Sequence, residues 1–149
     1  MLIGLSPVLS PDLLHALASL VHGDEIVLAD ANFPSTTHVR RLVRQPGTSA
    51  PVALGAVLGI LPLGSFVDHA AFTMRVVVDI AAVPAVVGKF GAVLRQDGCG
   101  PAVELERFAF CTRAAIEVAI VATGETRIYG AILLNKGVVQ QCTRARKKK

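Results

Sequence analysis

The chain has 149 residues, the length of a single domain, and 52% of them are hydrophobic whereas only 17% are charged. This composition excludes an intrinsically disordered protein, because disordered chains contain too few apolar residues to form a core. It also favours a subunit of an oligomer, since one small core does not need so much apolar surface. The three cysteines, Cys99, Cys111 and Cys142, form neither a disulfide framework nor a zinc-binding pattern, which predicts a cytoplasmic protein.

The net charge of +4 is concentrated at the carboxyl terminus, where the last six residues contribute five positive charges and leave −1 for residues 1–143. We therefore predict a single folded domain over 1–143 and a basic, disordered tail at 144–149. The alternative for the tail is an arm that binds nucleic acid or a membrane surface. Because no aromatic side chain lies among its basic residues to stack on bases, neither partner is expected.

The first predicted elements are a helix and a strand. Ser10 and Pro11 are typical of a helix start, and the apolar spacing that follows predicts a helix closed by Gly23. Glu25–Asp30 then predicts a short, buried strand. The N-terminus lacks the basic segment and cleavage site of a signal peptide, so none is expected.

Residues 45–67 carry no charged side chain and are long enough to cross a bilayer. Prolines and glycines interrupt this stretch at seven positions, which disfavours a continuous membrane helix. We predict instead a buried helix over Pro51–Leu61. Residues 37–44, just before this stretch, give no clear pattern.

The second half of the chain alternates between strand and helix patterns. Gly124 and Glu125 indicate a turn. The alternation as a whole predicts a single layered α/β domain, in which helices flank a central sheet buried on both faces. The predicted strands are Phe72–Val78, Val103–Phe108, Val118–Thr123 and Ile132–Leu134, and the predicted helices are Pro84–Gln96 and Cys111–Ala115.

Three polar positions have the chemistry of a functional site. His22 falls in the last turn of the predicted first helix, where the helix dipole favours an imidazolium suited to acid–base work. Asp30 ends the next strand, at the sheet edge where ligands bind in α/β domains. Tyr129 is the only tyrosine and stands before Gly130 at the mouth of a strand. The alternatives are a histidine that only complements the dipole, a turn-capping aspartate and an interface tyrosine.

The charged segment around Arg107 predicts a strand edge, with Leu105 and Arg107 on one face. The alternative is a surface strand with salt bridges. A metal site built from His22, Asp24 and Glu25 is not expected, because neighbouring residues point in different directions. The sequence contains no glycine-rich nucleotide loop, no nucleophile elbow and no zinc-binding helix motif.

Several blocks, in order, resemble the fucose mutarotase and ribose pyranase family. They are HGDEIVLADANFP at 22–34, ERFAF at 106–110, ATGETRIYG at 122–130 and ILLNKGV at 132–138. The segment LSPVLSPDLLHALA is similar to the first helix of the same family. The resemblance covers nearly the whole chain to about Val139 and is closest to the fucose mutarotase branch.

The resemblance implies a ribose pyranase-like fold and an isomerase that interconverts the α and β anomers of L-fucose or a related sugar without cofactor or metal. Interconversion of pyranose and furanose forms of ribose is also implied. His22 would be the catalytic acid, and Asp30, Arg107, Tyr129 and Gly130 would bind the sugar. The family assembles as decamers of two stacked pentameric rings in which neighbouring subunits complete each site. The alternative is a non-catalytic sugar-binding or sensor protein that kept the fold.

Two positions depart from the family pattern. Ala131 replaces an asparagine that follows the Tyr-Gly pair, and Cys111 replaces a tyrosine. Each change removes a group that can hydrogen-bond to a sugar hydroxyl, which is worth about 0.5–1.5 kcal/mol. Since His22, Asp30 and Arg107 are retained, we expect the departures to affect sugar specificity rather than chemistry.

Overall fold

The computed structural model describes residues 2–35, 40–79, 81–116 and 119–139. The predicted α/β class with a central sheet is confirmed, whereas the predicted basic tail at 144–149 lies outside the described residues. Along the chain the elements are α1 (Pro11–Ser19), β1 (Glu25–Ala29), β2 (Leu42–Gln45), α2 (Ala50–Leu58), β3 (Ala71–Met74), α3 (Ala85–Gln96), β4 (Val103–Leu105), α4 (Arg107–Ala115), β5 (Ala119–Thr123) and β6 (Ile132–Asn135).

The strands form one mixed sheet in the order β2-β5-β1-β6-β3-β4. Strand β6 runs antiparallel to β1 and β3, whereas the β1–β5, β2–β5 and β3–β4 pairs are parallel. The carboxyl ends of β1 to β5 and the amino end of β6 therefore meet at one edge of the sheet, called here the carboxyl edge. The opposite edge is called the amino edge.

Both faces of the sheet are buried, as predicted. In β1, successive side chains point to opposite faces and enter two different core clusters. Ile26 and Leu28 belong to the core cluster that includes α1, α2 and α3. Val27 and Ala29 belong to the second cluster, which includes α4. Because each face has its own helical layer, every residue of β1 is buried and the strand reads as a continuous apolar run.

Helix α1 begins as predicted but ends earlier. The Ser10 hydroxyl accepts a hydrogen bond from the Leu13 N–H at 3.2 Å. The predicted end at Gly23 is wrong: the helix stops at Ser19, because Leu20 has extended backbone angles. Gly23 does have a positive φ of 88°, but in the turn before β1, where the Asp24 carboxylate accepts the Val21 N–H at 2.9 Å.

Helix α2 confirms the predicted helix in the uncharged stretch, although it ends at Leu58 rather than Leu61. In the part of the chain that the structure describes, no helix is long and apolar enough to cross a membrane. Helix α3 matches its prediction closely, and Gly98 follows it with a positive φ of 75°. Strand β2 begins within residues 37–44, for which no element was predicted.

Two predicted strands are too long. Strand β3 ends at Met74 rather than Val78, and Val77 and Val78 are exposed although their residue type favours strands. Strand β4 ends at Leu105 rather than Phe108, because the Glu106 carboxylate accepts the N–H groups of Phe108 and Ala109 at 3.0 and 3.1 Å. This cap starts α4 at Arg107, four residues before the predicted helix at Cys111.

Candidate functional site at the carboxyl edge

Asp30 follows β1 at the carboxyl edge, and only 5% of it is exposed. Its carboxylate accepts the backbone N–H of Asn32 at 2.8 Å and that of Gly130 at 3.0 Å. Burial raises the pKa of this carboxyl above its usual value, although the two N–H donors act in the opposite direction. The fold thus joins Asp30 to the loop between β5 and β6, which carries Tyr129.

That loop is organised around the buried carboxylate of Glu125, which is 3% exposed. The carboxylate accepts hydrogen bonds from Nε and Nη2 of Arg127 at 2.8 and 3.0 Å, and from the Arg127 N–H at 3.1 Å. It also accepts the N–H of Ala50, the first residue of α2, at 3.3 Å. The Arg127 side chain lowers the pKa of Glu125 to about 2. The sequence indicated only a turn here, although an acid two residues before an arginine was a usable signal.

Tyr129 has an uncommon backbone conformation, and Gly130 beside it lies in a crowded position. Tyr129 has a positive φ of 60°, which is uncommon for a bulky side chain, and its hydroxyl accepts the Val77 N–H at 3.2 Å. A Cβ atom at Gly130 would lie 2.7 Å from Cγ of Glu125 and 3.2 Å from Cβ of Asp30. The absence of a side chain at Gly130 therefore allows the loop to approach Asp30 closely. The hydrogen bond from the Gly130 N–H to the Asp30 carboxylate then holds the loop in place.

We expect Gly130→Ala to destabilise the fold by about 1–3 kcal/mol, because the new methyl group displaces Glu125 and Asp30. Denaturant unfolding measures this loss. The control is Gly88→Ala in α3, where a Cβ meets no atom within 4 Å and alanine is the better helix former. Equal unfolding free energies for Gly130→Ala and the wild type would show that the loop absorbs a methyl group without cost.

Arg107 lies at the same edge. It was predicted to lie in a strand, but it is the exposed first residue of α4. Arg75 directly follows β3, the strand next to β4. It was not predicted as a site residue, although its place directly after a buried strand matches that of Asp30. Its Nε atom is buried and lies 3.6 Å from the Glu104 carboxylate, with no hydrogen-bond acceptor among the described residues. Two guanidinium groups thus accompany Asp30 and Tyr129 at the carboxyl edge.

His22 lies at the opposite, amino edge. It is exposed in the turn before β1, beyond the end of α1, so the prediction that His22 lies in the last turn of the helix was wrong. The five residues of β1 separate His22 from Asp30 by about 17 Å. A single subunit therefore brings Asp30, Tyr129 and Gly130 together but leaves His22 apart from them.

The first residue of β1 is fixed by buried polar contacts beside the His22 turn. The Glu25 carboxylate accepts a hydrogen bond from Nε of Arg113 at 2.8 Å, and the Arg113 guanidinium lies 4.2 Å from the centroid of the Phe72 ring. Glu25 is therefore committed to an ion pair and does not face outward with His22. Across the described ranges, no group of three histidine, cysteine or acidic side chains is placed to hold a metal ion.

Both edges also carry exposed apolar side chains next to the candidate residues. Val77, Phe108 and Ile128 are exposed at the carboxyl edge, around Tyr129 and Arg107. Val21 and Phe66 are exposed at the amino edge, around His22. Exposed apolar side chains that lie close together can form an interaction surface.

Comparison with known proteins places the chain in a family. The model of the RbsD / FucU transport protein family matches residues 3–139. The fucose mutarotase of Homo sapiens is 42% identical over 143 residues, which cover 91% of this chain and 93% of that protein. Among solved structures, the fucose mutarotase from Streptococcus pneumoniae in complex with L-fucose has a TM-score of 0.88 and 40% identity, and the match covers 93% of this chain and 100% of that one.

A more distant structure shares the fold alone. Bacillus subtilis RbsD complexed with D-ribose has a TM-score of 0.70 and 22% identity, over 89% of this chain and 95% of that chain. The family match thus extends over nearly all of the described residues, including both edges of the sheet. The chain belongs to the RbsD / FucU family.

Proposed function

We propose that this protein is a mutarotase that interconverts the α and β anomers of L-fucose or a related monosaccharide. The observation that carries the proposal is the buried Asp30 carboxylate, which is held against the Tyr129–Gly130 backbone at the carboxyl edge. Relatives that match nearly the whole chain are named fucose mutarotase, and one of them is solved with L-fucose. We also propose a cytoplasmic location, in keeping with the three cysteines.

The chemistry requires two proton transfers. A proton is delivered to the ring oxygen and another is removed from the anomeric hydroxyl, so that the bond between the anomeric carbon and the ring oxygen breaks and an aldehyde forms. Ring closure on the other face of the aldehyde reverses both transfers. Positioned acid–base catalysis of this kind typically contributes about 10²- to 10⁴-fold, and it needs neither metal nor cofactor.

Each candidate residue has a role in this reaction. His22 exchanges the proton with the ring or anomeric oxygen, since an imidazole ring can both donate and accept a proton. The Asp30 carboxylate accepts hydrogen bonds from sugar hydroxyls, and Arg107 donates to them. Tyr129 hydrogen-bonds near the anomeric centre, and Gly130 lets this loop approach the sugar.

We propose that the site lies between two subunits. His22 and Asp30 stand at opposite edges of the sheet, so they meet when the amino edge of one subunit contacts the carboxyl edge of the next. A contact of this kind is head-to-tail, and it closes into a ring when the rotation allows. The exposed apolar residues at both edges support this assembly, and we propose a decamer of two stacked pentameric rings.

The second candidate function is sugar binding or sensing without turnover. It is favoured by Ala131, which is completely buried in the cluster beside α4 and offers no side-chain hydrogen bond, and by the thiol of Cys111. A protein of this kind would bind sugar without exchanging its anomers.

The experiment is magnetisation-exchange NMR on the anomers of fucose, ribose, galactose and rhamnose. We expect faster exchange for at least one sugar, with fucose the first candidate. Saturable binding without faster exchange would favour the sensor. The absence of both binding and exchange for every sugar would contradict the proposed function.

A further inference from the structure

Phe66 forms a contact that neither the sequence nor the proposed reaction assigns. Its ring lies edge-to-face against that of His22, with centroids 6.1 Å apart and planes at 80°. Phe66 is nonetheless 74% exposed, on a loop between α2 and β3. Among the described residues, no hydrogen bond holds the His22 ring, and the Phe66 ring is its aromatic neighbour.

The two rings are brought together by one anchor at the end of β6. The Gly23 N–H, next to His22, donates to the Lys136 carbonyl at 2.9 Å, and the Asn135 side-chain amide donates to the Gly23 carbonyl at 3.2 Å. On the Phe66 side, the Gly64 N–H donates to the Asn135 carbonyl at 3.0 Å. Because both segments are hydrogen-bonded to the end of β6, the backbone holds the two residues that carry these rings close to each other.

The room around this anchor is also limited. A Cβ atom at Gly64 would lie 2.5 Å from Oδ1 of Asn135, so the loop approaches the end of β6 as closely as a glycine permits. Gly137 adds a further tie, because its N–H donates to the Pro62 carbonyl at 2.8 Å. The segment just before Phe66 is therefore held against the end of β6, although the Phe66 ring itself is exposed.

We propose that Phe66 is the positioning residue of His22: its ring fixes the orientation of the imidazole that exchanges the proton with the sugar. This inference rests on the proposed function. An acid that must reach one oxygen atom gains from a restricted ring, since misalignment lowers the fraction of productive encounters. The exposure of Phe66 fits the same picture, because its free face becomes covered when His22 enters the site of the neighbouring subunit.

The test compares Phe66→Leu, which keeps apolar bulk but loses the ring, with Phe66→Tyr, which keeps the ring. An aromatic pair of this kind corresponds to about a two- to tenfold effect on a rate. We therefore expect Phe66→Leu to lower kcat for anomer exchange by about that factor with little change in KM, and Phe66→Tyr to stay near the wild type. The control is Val83→Ala, a residue that is 65% exposed just before α3.

A second readout does not depend on catalysis. In protein labelled with ¹³C and ¹⁵N at histidine, the three-bond couplings that report the χ1 rotamer of His22, assigned by the loss of its signals in His22→Gln, should move towards averaged values in Phe66→Leu and stay unchanged in Val83→Ala. Unchanged His22 couplings, or wild-type kcat in Phe66→Leu, would overturn the proposal. So would a loss of oligomer mass that explains the lower rate, which size-exclusion chromatography with light scattering detects. If no sugar is turned over by the wild type, the proposed function fails, and the couplings alone still decide whether Phe66 orients His22.

Discussion

Two inactive variants of this protein are expected to restore activity when they share an oligomer. His22→Ala removes the proposed acid and should lower anomer exchange by about 10²- to 10⁴-fold. Arg107→Ala removes charged hydrogen bonds to the sugar, worth about 1.5–3 kcal/mol. In an oligomer assembled at random from equal amounts of the two, about a quarter of the sites receive His22 from one intact edge and Arg107 from the other. About a quarter of wild-type activity should therefore return.

Both substitutions suit this experiment because both side chains are exposed, so that neither variant is expected to lose its fold. The two chains are co-expressed with different tags and purified through both. The control pairs His22→Ala with the double variant His22→Ala/Arg107→Ala, in which no site is intact and no activity should return. If the first mixture were as inactive as this control, His22 and Arg107 would not belong to sites shared between subunits.

The second large effect concerns stability in acid. We expect Glu125→Gln to lower the free energy of unfolding by about 2–3 kcal/mol at neutral pH, because the charged bonds to Arg127 are lost. The pKa of Glu125 is about 2 in the folded protein, against an ordinary 4.5. A carboxyl whose pKa falls on folding stabilises the fold fully above the unfolded value. That contribution disappears as the pH falls from about 4.5 towards 2, so the difference between variant and wild type should shrink over this range.

Urea unfolding at a series of pH values measures this difference. The Asp30 carboxyl contributes to stability in the opposite sense, because its pKa is raised on folding. Both proteins contain Asp30, so this contribution largely cancels in the difference between them. Glu104→Gln is the matched control, since its ion pair with Arg75 is long and half-exposed and contributes about 0–1 kcal/mol. A stability gap for Glu125→Gln that stayed constant from pH 6 to pH 2 would contradict the assigned role of the Glu125 carboxylate.

The elements that sequence patterns predicted well are those whose signal is local. The Ser10 cap lies beside the helix that it starts, and the apolar run of β1 reflects helical layers on both of its faces. The ends of β3 and β4 were predicted too late, because apolar or alternating residues continue after strand pairing stops. At β4 the deciding contact is the Glu106 cap, which a strand pattern does not reveal.

In the candidate site, too, the residues with a local signal were predicted and those that depend on distant contacts were not. Asp30 was predicted from its place after a strand, and the structure places it at the carboxyl edge with Tyr129 and Gly130. The buried role of Glu125 depends on Ala50, which lies 75 residues earlier in the chain, so no local pattern predicts it. The position of His22 across the sheet from Asp30 follows from strand direction, and the family resemblance alone indicated that subunits share the site.

Exchange NMR on L-fucose tests most directly whether His22 catalyses anomer exchange. With equal amounts of wild type and His22→Ala, the rate of magnetisation transfer between the α and β signals is measured against a sample without protein. We predict faster transfer with the wild type and a rate near the uncatalysed one with His22→Ala, although both proteins have the same oligomeric mass. Equal acceleration by both proteins, or none by the wild type, would contradict this account.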